Sequence, residues 1–182
     1  MAIKTFTTGE VLTASDTNTY LGNAMSQYIT SATIGNAVST VTVSNCFSTT
    51  YDNYQIVIYG STSSSLNNIV TLQLNNSTGS TYLSSSFYVI HSGGSTGTNS
   101  GTSSSFRITW GGNVSDTNAN IILYSPFIAR RTGMTSQNAN ASLTAFNGGT
   151  DTNAVSNTGF TIGVGADNLT GGTIAVYGFR KA

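Results

Sequence analysis

From Val38 to the C-terminus, apolar side chains recur at every second position in short runs, and polar turn formers separate the runs. A period of two is the repeat of a β-strand, whose successive side chains point to opposite faces. Tyr54, Ile56 and Ile58 alternate with Gln55, Val57 and Tyr59, and residues 173–179 read TIAVYGF. Segments of this kind cover residues 38–47, 54–60, 69–74, 82–90, 105–110, 119–128, 141–146, 160–165 and 173–179. Between them stand Asn67-Asn68, residues 75–79 (NNSTG), Gly111-Gly112-Asn113, Asn147-Gly148-Gly149 and Gly171-Gly172. These residue types supply the positive φ and the local side-chain bonds of tight turns. Short strands at this spacing predict an all-β fold, an antiparallel β-sandwich of jelly-roll type. The longest polar stretch, 92–104, has no apolar residue and is expected to be an exposed, mobile loop.

The N-terminal region follows a different repeat. Tyr20, Leu21, Ala24, Met25, Tyr28 and Ile29 recur at the spacing of a helical stripe within residues 12–29. Thr13 or Ser15 can cap the start, and Asp16 suits the positive end of the helix dipole. Gly22 weakens such a helix by about 1 kcal/mol relative to alanine. An isolated helix of about 15 residues is marginal in water, so the stripe needs a partner surface, in its own domain or on another protein. Residues 1–11 read as irregular with Phe6 and Val11 as anchors, and residues 30–37 read as a linker. The expected organisation is an N-terminal docking arm and short helix over 1–37, then a β-sandwich domain over 38–182. Phe6, Val11, Leu12, Tyr20, Leu21, Met25 and Tyr28 are the docking candidates of the arm.

Charge is scarce: six Lys/Arg and six Asp/Glu in 182 residues, with a net charge of zero. Ordinary soluble domains carry roughly 25 % charged residues, whereas this chain carries 7 %. Ser, Thr and Asn take their place at roughly two residues in five. Nothing here attracts phosphate backbones or anionic lipid over distance, so neither nucleic acid nor membrane is an expected partner. No apolar run approaches the roughly 18 residues of a membrane span, and the opening MAIKTFTTGE lacks the apolar core of a signal peptide. Aromatic residues, at 10 %, suffice to build a core. A neutral, hydroxyl-rich and amide-rich surface points to a part of a larger assembly, where attachment or oligomerisation relieves the low solubility of an uncharged monomer.

No catalytic constellation is legible. His91 is the single histidine, and no G-x-S-x-G nucleophile elbow is present. Cys46 stands alone, which excludes an intrachain disulfide and a cysteine metal cluster, and reads as a small buried residue. Asp116, Asp151 and Asp167 sit in Asn/Thr/Gly-rich turns; they could supply oxygens to calcium, and capping of their own backbone explains them equally well. The glycines around Gly163 and Gly165 lie in a strand pattern, so no dinucleotide fingerprint is supported. No catalytic, cofactor-binding or metal residue is assigned. Arg130-Arg131 is the one local charge cluster, either a solvated strand end or a subunit contact to a carboxylate on a neighbour. Trp110 is either core or a ring that stacks on a glycan at a loop rim.

The opening Thr5-Phe-Thr-Thr-Gly-Glu-Val-Leu-Thr-Ala-Ser-Asp-Thr-Asn-Thr-Tyr-Leu21 resembles the start of many tailed-bacteriophage virion proteins, which begin "F-T-x-G-x-x-L-T-A-x-D-x-N" and continue into a short helix. Residues 51–58 (YDNYQIVI) and 172–181 (GTIAVYGFRK) are similar to the first and last strands of small β-sandwich domains in such proteins. The likeness covers about 17 residues well and the β region loosely. It implies a non-enzymatic virion part with other virion proteins as partners and a homotrimeric state. The chain lacks the repeats or long shaft of an extended fibre, so a short tail-fibre or appendage protein is the first expectation and a capsid decoration (cement) protein the second. A module that binds host surface glycans through Trp110 or exposed tyrosines is a third.

Overall fold

A computed structural model of the chain describes residues 7–11, 13–16, 26–66, 68–93, 95–112 and 117–180. Its strands, in chain order, are β1 (Gln27–Thr33), β2 (Thr40–Val43), β3 (Tyr51–Ser63), β4 (Ile69–Leu74), β5 (Tyr82–Ile90), β6 (Ser95–Ser103), β7 (Phe106–Trp110), β8 (Thr117–Tyr124), β9 (Thr132–Ala139), β10 (Leu143–Asp151), β11 (Phe160–Gly163), β12 (Leu169–Thr170) and β13 (Thr173–Arg180). All of their pairings are antiparallel. The large sheet has the order β1-β13-β3-β8-β9-β10-β5-β6, with β12 also on β3; the small sheet has the order β2-β11-β4-β7.

The period-two pattern has a direct physical outcome. On β3, Tyr54, Ile56 and Ile58 are buried while Gln55, Val57 and Tyr59 face away. On the small sheet, Val70, Leu72, Leu74, Phe160 and Ile162 are buried. One hydrophobic cluster takes residues from both sheets, which makes the architecture β-sandwich-like. Full burial of a side chain such as Leu72 contributes about 1.5–3 kcal/mol. Two phenols fasten the layers at their polar ends. Tyr54 of β3 donates to Ser48 O (3.0 Å) and accepts from Ser48 N (2.7 Å), in the loop after β2. Tyr82 of β5 donates to Ser77 O (3.1 Å) and accepts from Leu74 N (3.0 Å), at the end of β4. The Tyr82 ring meets Phe106 edge-on at 4.7 Å, and Phe47 lies 4.7 Å from Tyr54 and 5.7 Å from Phe160.

Several expectations need correction. The helical stripe does not run to Ile29: residues 27–33 form β1, paired with β13, and among the described residues only Ala14–Asp16 make a helical turn. Tyr20, Leu21, Ala24 and Met25 lie outside the described residues. The presumed linker 30–37 begins inside β1 and carries Ile34, which is 2 % exposed in the core. The presumed mobile loop 92–104 contains β6, in register with β5 from Val89↔Ser95 to Tyr82↔Ser103. A further strand, β9, lies between the expected strands 119–128 and 141–146. The 119–128 strand stops at Tyr124, where Ser125 takes a φ of 60°.

Candidate functional site

The large sheet has a face that its own core does not use. The register aligns Ala175, Val57, Asn120, Gln137, Phe146 and Phe87 in one row across β13, β3, β8, β9, β10 and β5. Their chain neighbours Ile56, Ile58, Ala119, Ile121, Ala145 and Ser86 are buried, so this row points outward, although Ala175 at its end is itself covered at 3 % exposed. Nine large hydrophobic side chains among the described residues are markedly exposed, and seven of them lie on this sheet's outer side: Tyr28, Tyr59, Leu83, Phe87, Val89, Tyr124 and Phe146. Tyr59 is 52 % exposed and Phe146 49 %. A shallow cavity of about 440 Å³ opens between them, lined by Val57, Asn120, Gln137 and Thr144 as well.

The polar groups of this face are amides and hydroxyls. Gln55 Nε2 donates to Asn120 Oδ1 at 2.8 Å. Asn118 bonds the backbone of Ala139, through Nδ2 to O at 2.6 Å and through Oδ1 from N at 3.3 Å. His91 Nε2 lies 3.0 Å from Thr144 Oγ1. No described outward side chain in the strands of this sheet carries a charge. Arg131 stands exposed at the margin, just before β9. The arrangement offers contact chemistry: ring faces, methyl groups, and amides that both donate and accept.

The residues singled out in the sequence fall elsewhere or at the edge of this face. Phe6, Leu12, Tyr20, Leu21 and Met25 lie outside the described residues, as does Asp116. Val11 is 79 % exposed. It follows a turn closed by Glu10 N donating to Thr7 O (3.0 Å), with Thr7 N donating to Glu10 Oε2 (3.1 Å). Tyr28 sits on β1 with its ring edge-on to Tyr177 at 5.9 Å and its hydroxyl donating to Ser31 Oγ at 2.9 Å. Arg130 and Arg131 are both exposed, and the Arg130 guanidinium bonds Ser125 Oγ within its own loop. Of its two alternatives Trp110 takes the core one: it is 6 % exposed, packed at 5.2 Å from Tyr88, with the Arg107 guanidinium 5.6 Å from its ring.

The turn aspartates act on their own surroundings. Asp151 Oδ1 accepts from Asn153 N (3.0 Å), and Asp167 Oδ1 accepts from Ser64 (2.9 Å) and Ser65 (3.1 Å). Among the described residues, no group of three or more His, Cys, Asp or Glu side chains is placed to hold a metal ion. Cys46 is buried beneath β2, its thiol 3.8 Å from Val43 O.

Tyr59, Phe87, Val89 and Phe146 were not singled out from sequence, although a signal was present. In β5 the outward positions Leu83, Phe87 and Val89 are apolar while the inward Ser84 and Ser86 are polar. With Tyr82 and Tyr88 on the inward side, β5 is apolar at both parities, which marks a strand whose outer side has a use of its own. Compared with known proteins, the chain matches no family model, no curated protein and no solved structure.

Proposed function

We propose that the chain is a non-enzymatic structural component of a bacteriophage particle, a short tail-fibre or appendage protein that acts as a homotrimer in the virion. The observation that carries this reading is a division of labour. Residues 27–180 close their own core, while the N-terminal segment with its virion-like phrase leaves Val11 79 % exposed. An apolar anchor that its own domain does not cover fits attachment to another protein.

The strand order supports the jelly-roll form of this reading. Counting β2, β3, β4, β5, β6, β7, β10 and β11 as strands one to eight, the small sheet runs 1-8-3-6 and the large sheet holds 2, 7, 4 and 5 in that order. We read that interleaving as a jelly-roll arrangement. The hairpin β8–β9 is then an insertion between the second and seventh strands, and β13 and β1 extend the same sheet.

Removing residues 1–25 tests the docking role. The expected outcome is particles that lack the protein, while the truncated chain keeps the far-ultraviolet signature of a β domain. Normal incorporation of the truncated chain would sink the proposal. Copy number separates the decoration alternative, which requires hundreds of copies on the shell rather than a few at the tail. The glycan-binding alternative moves from Trp110 to the cavity between Tyr59 and Phe146, where rings and amides are both accessible. Silence of the chain across a glycan array would remove it.

A further inference from the structure

We propose that the outer face of the large sheet is the surface through which copies of this chain pack against one another. This goes beyond the oligomer named above: a face that packs on its own copy is a two-fold contact joining two chains, whereas a three-membered ring needs two different surfaces. Three observations carry it.

The first is apolar exposure. Tyr59, Phe146, Phe87, Val89 and Leu83 are each between 40 and 52 % exposed and share one side of one sheet. The largest apolar patch on a typical monomer is about 300–600 Å². The second is area. Seven strands, β1, β13, β3, β8, β9, β10 and β5, present this face. At about 4.8 Å between strands and about 20 Å of strand length, it spans roughly 670 Å² in plan. A standard interface buries about 800 Å² of accessible surface on each side, so the face is of the size one copy needs from another.

The third is charge. In a two-fold contact a charged cluster on the axis meets its own sign, and one off the axis needs an opposite cluster elsewhere on the same face. A self-pairing surface is therefore best left neutral, and the described outward side chains of this sheet are neutral although the chain has twelve charged residues to place. The central amides Asn120 and Gln137 both donate and accept, so they can bond their own copies without a complementary partner chemistry.

Sedimentation equilibrium on the full chain tests this. The expected mass is at least twice the 18.9 kDa of one chain, unchanged between about 0.05 and about 1 M NaCl because no ion pair is screened. Phe146→Glu should raise the dissociation constant at least about 100-fold, by burying an unpaired charge where apolar contact was. Gln137→Glu adds the charge without removing an apolar group, and decides the matter if Phe146→Glu fails to fold. Thr161→Glu, on the exterior of the small sheet, should leave the mass unchanged. A wild-type monomer throughout the concentration range overturns the proposal, as does an oligomer that survives both large-sheet variants. A monomer whose tyrosine fluorescence responds to maltoheptaose or chitohexaose also overturns it, and assigns the face to a neutral glycan. None of these outcomes touches virion docking, which the truncation reads separately.

Discussion

Replacing Gly172 with alanine should cost about 2–4 kcal/mol and lower the melting temperature by about 5–15 °C. Gly172 lies between β12 and β13 with a φ of +87°. A β-carbon there would stand 2.6 Å from Tyr59 O, 2.7 Å from the Gly60 carbonyl carbon and 2.7 Å from Ser61 N. These are backbone atoms, so no side chain can swing aside. Gly60 itself has a φ of +71°, at the irregularity in β3–β8 pairing between Ile58 and Ser61. The two glycines let one backbone cross another where Ile34 N also bonds Gly172 O at 3.0 Å. Gly79→Ala is the control. Its φ is +96° but nothing lies within 4 Å of the added carbon, so it should lose only the conformational part, about 1 kcal/mol. Equal melting temperatures for the two variants would show that the crossing is looser than described.

What the sequence revealed of this fold depended on which strands carry apolar residues inward. β4 and β5 match their expected bounds because Val70, Leu72 and Leu74, and Tyr82, mark the alternation against strong turn signals. β9 escaped notice because its inward positions are Thr132, Met134, Ser136 and Asn138, of which only one is apolar. At its middle Ser136 makes polar contacts: Ser136 Oγ donates to Ile108 O at 2.6 Å, and Asn147 Nδ2 donates to Ser136 Oγ at 2.9 Å and to Ile108 O at 3.1 Å. Hydrophobic periodicity cannot register a layer packed through hydroxyls and amides. β6 has no apolar residue at all, and exists through its backbone pairing with β5. β1 was misread because Tyr28 and Ile29 complete a helical spacing. Their actual environment is set by β13, about 150 residues away along the chain, and by the irregular register between Tyr28 and Thr30. Tertiary pairing overrode the local pattern. The outer face was legible only as a second apolar parity in β3 and β5, which reads as ordinary strand composition until the sheet order places Phe87 beside Phe146.

Stability should be greatest below pH 9 and fall steeply between pH 9 and pH 12. Burial pushes the Cys46 thiol from 9.0 up to about 12, against a smaller opposing backbone hydrogen bond. Burial likewise raises the phenols of Tyr54 and Tyr82 above 10.0, against the hydrogen bonds each makes with Ser48, and with Ser77 and Leu74. In the unfolded chain these groups ionise near their ordinary values, while in the folded chain they hold their protons. Above pH 9 the unfolded state therefore binds fewer protons than the folded one, and stability declines as pH rises. The thiol alone gives a slope of about 1.4 kcal/mol per pH unit and a loss of about 4 kcal/mol by pH 12. The two phenols steepen the fall above pH 10. Urea midpoints measured at pH 7, 9, 10 and 11 would report this directly. Cys46→Ala separates the thiol from the phenols: it should be less stable than the parent at pH 7, from lost packing, yet decline more slowly between pH 9 and pH 10. Parallel declines for parent and variant would mean that the thiol is open to solvent in the folded chain. The same burial predicts that a thiol reagent at pH 8 labels Cys46 only as fast as the protein opens, so the labelling rate should rise with urea as unfolding does.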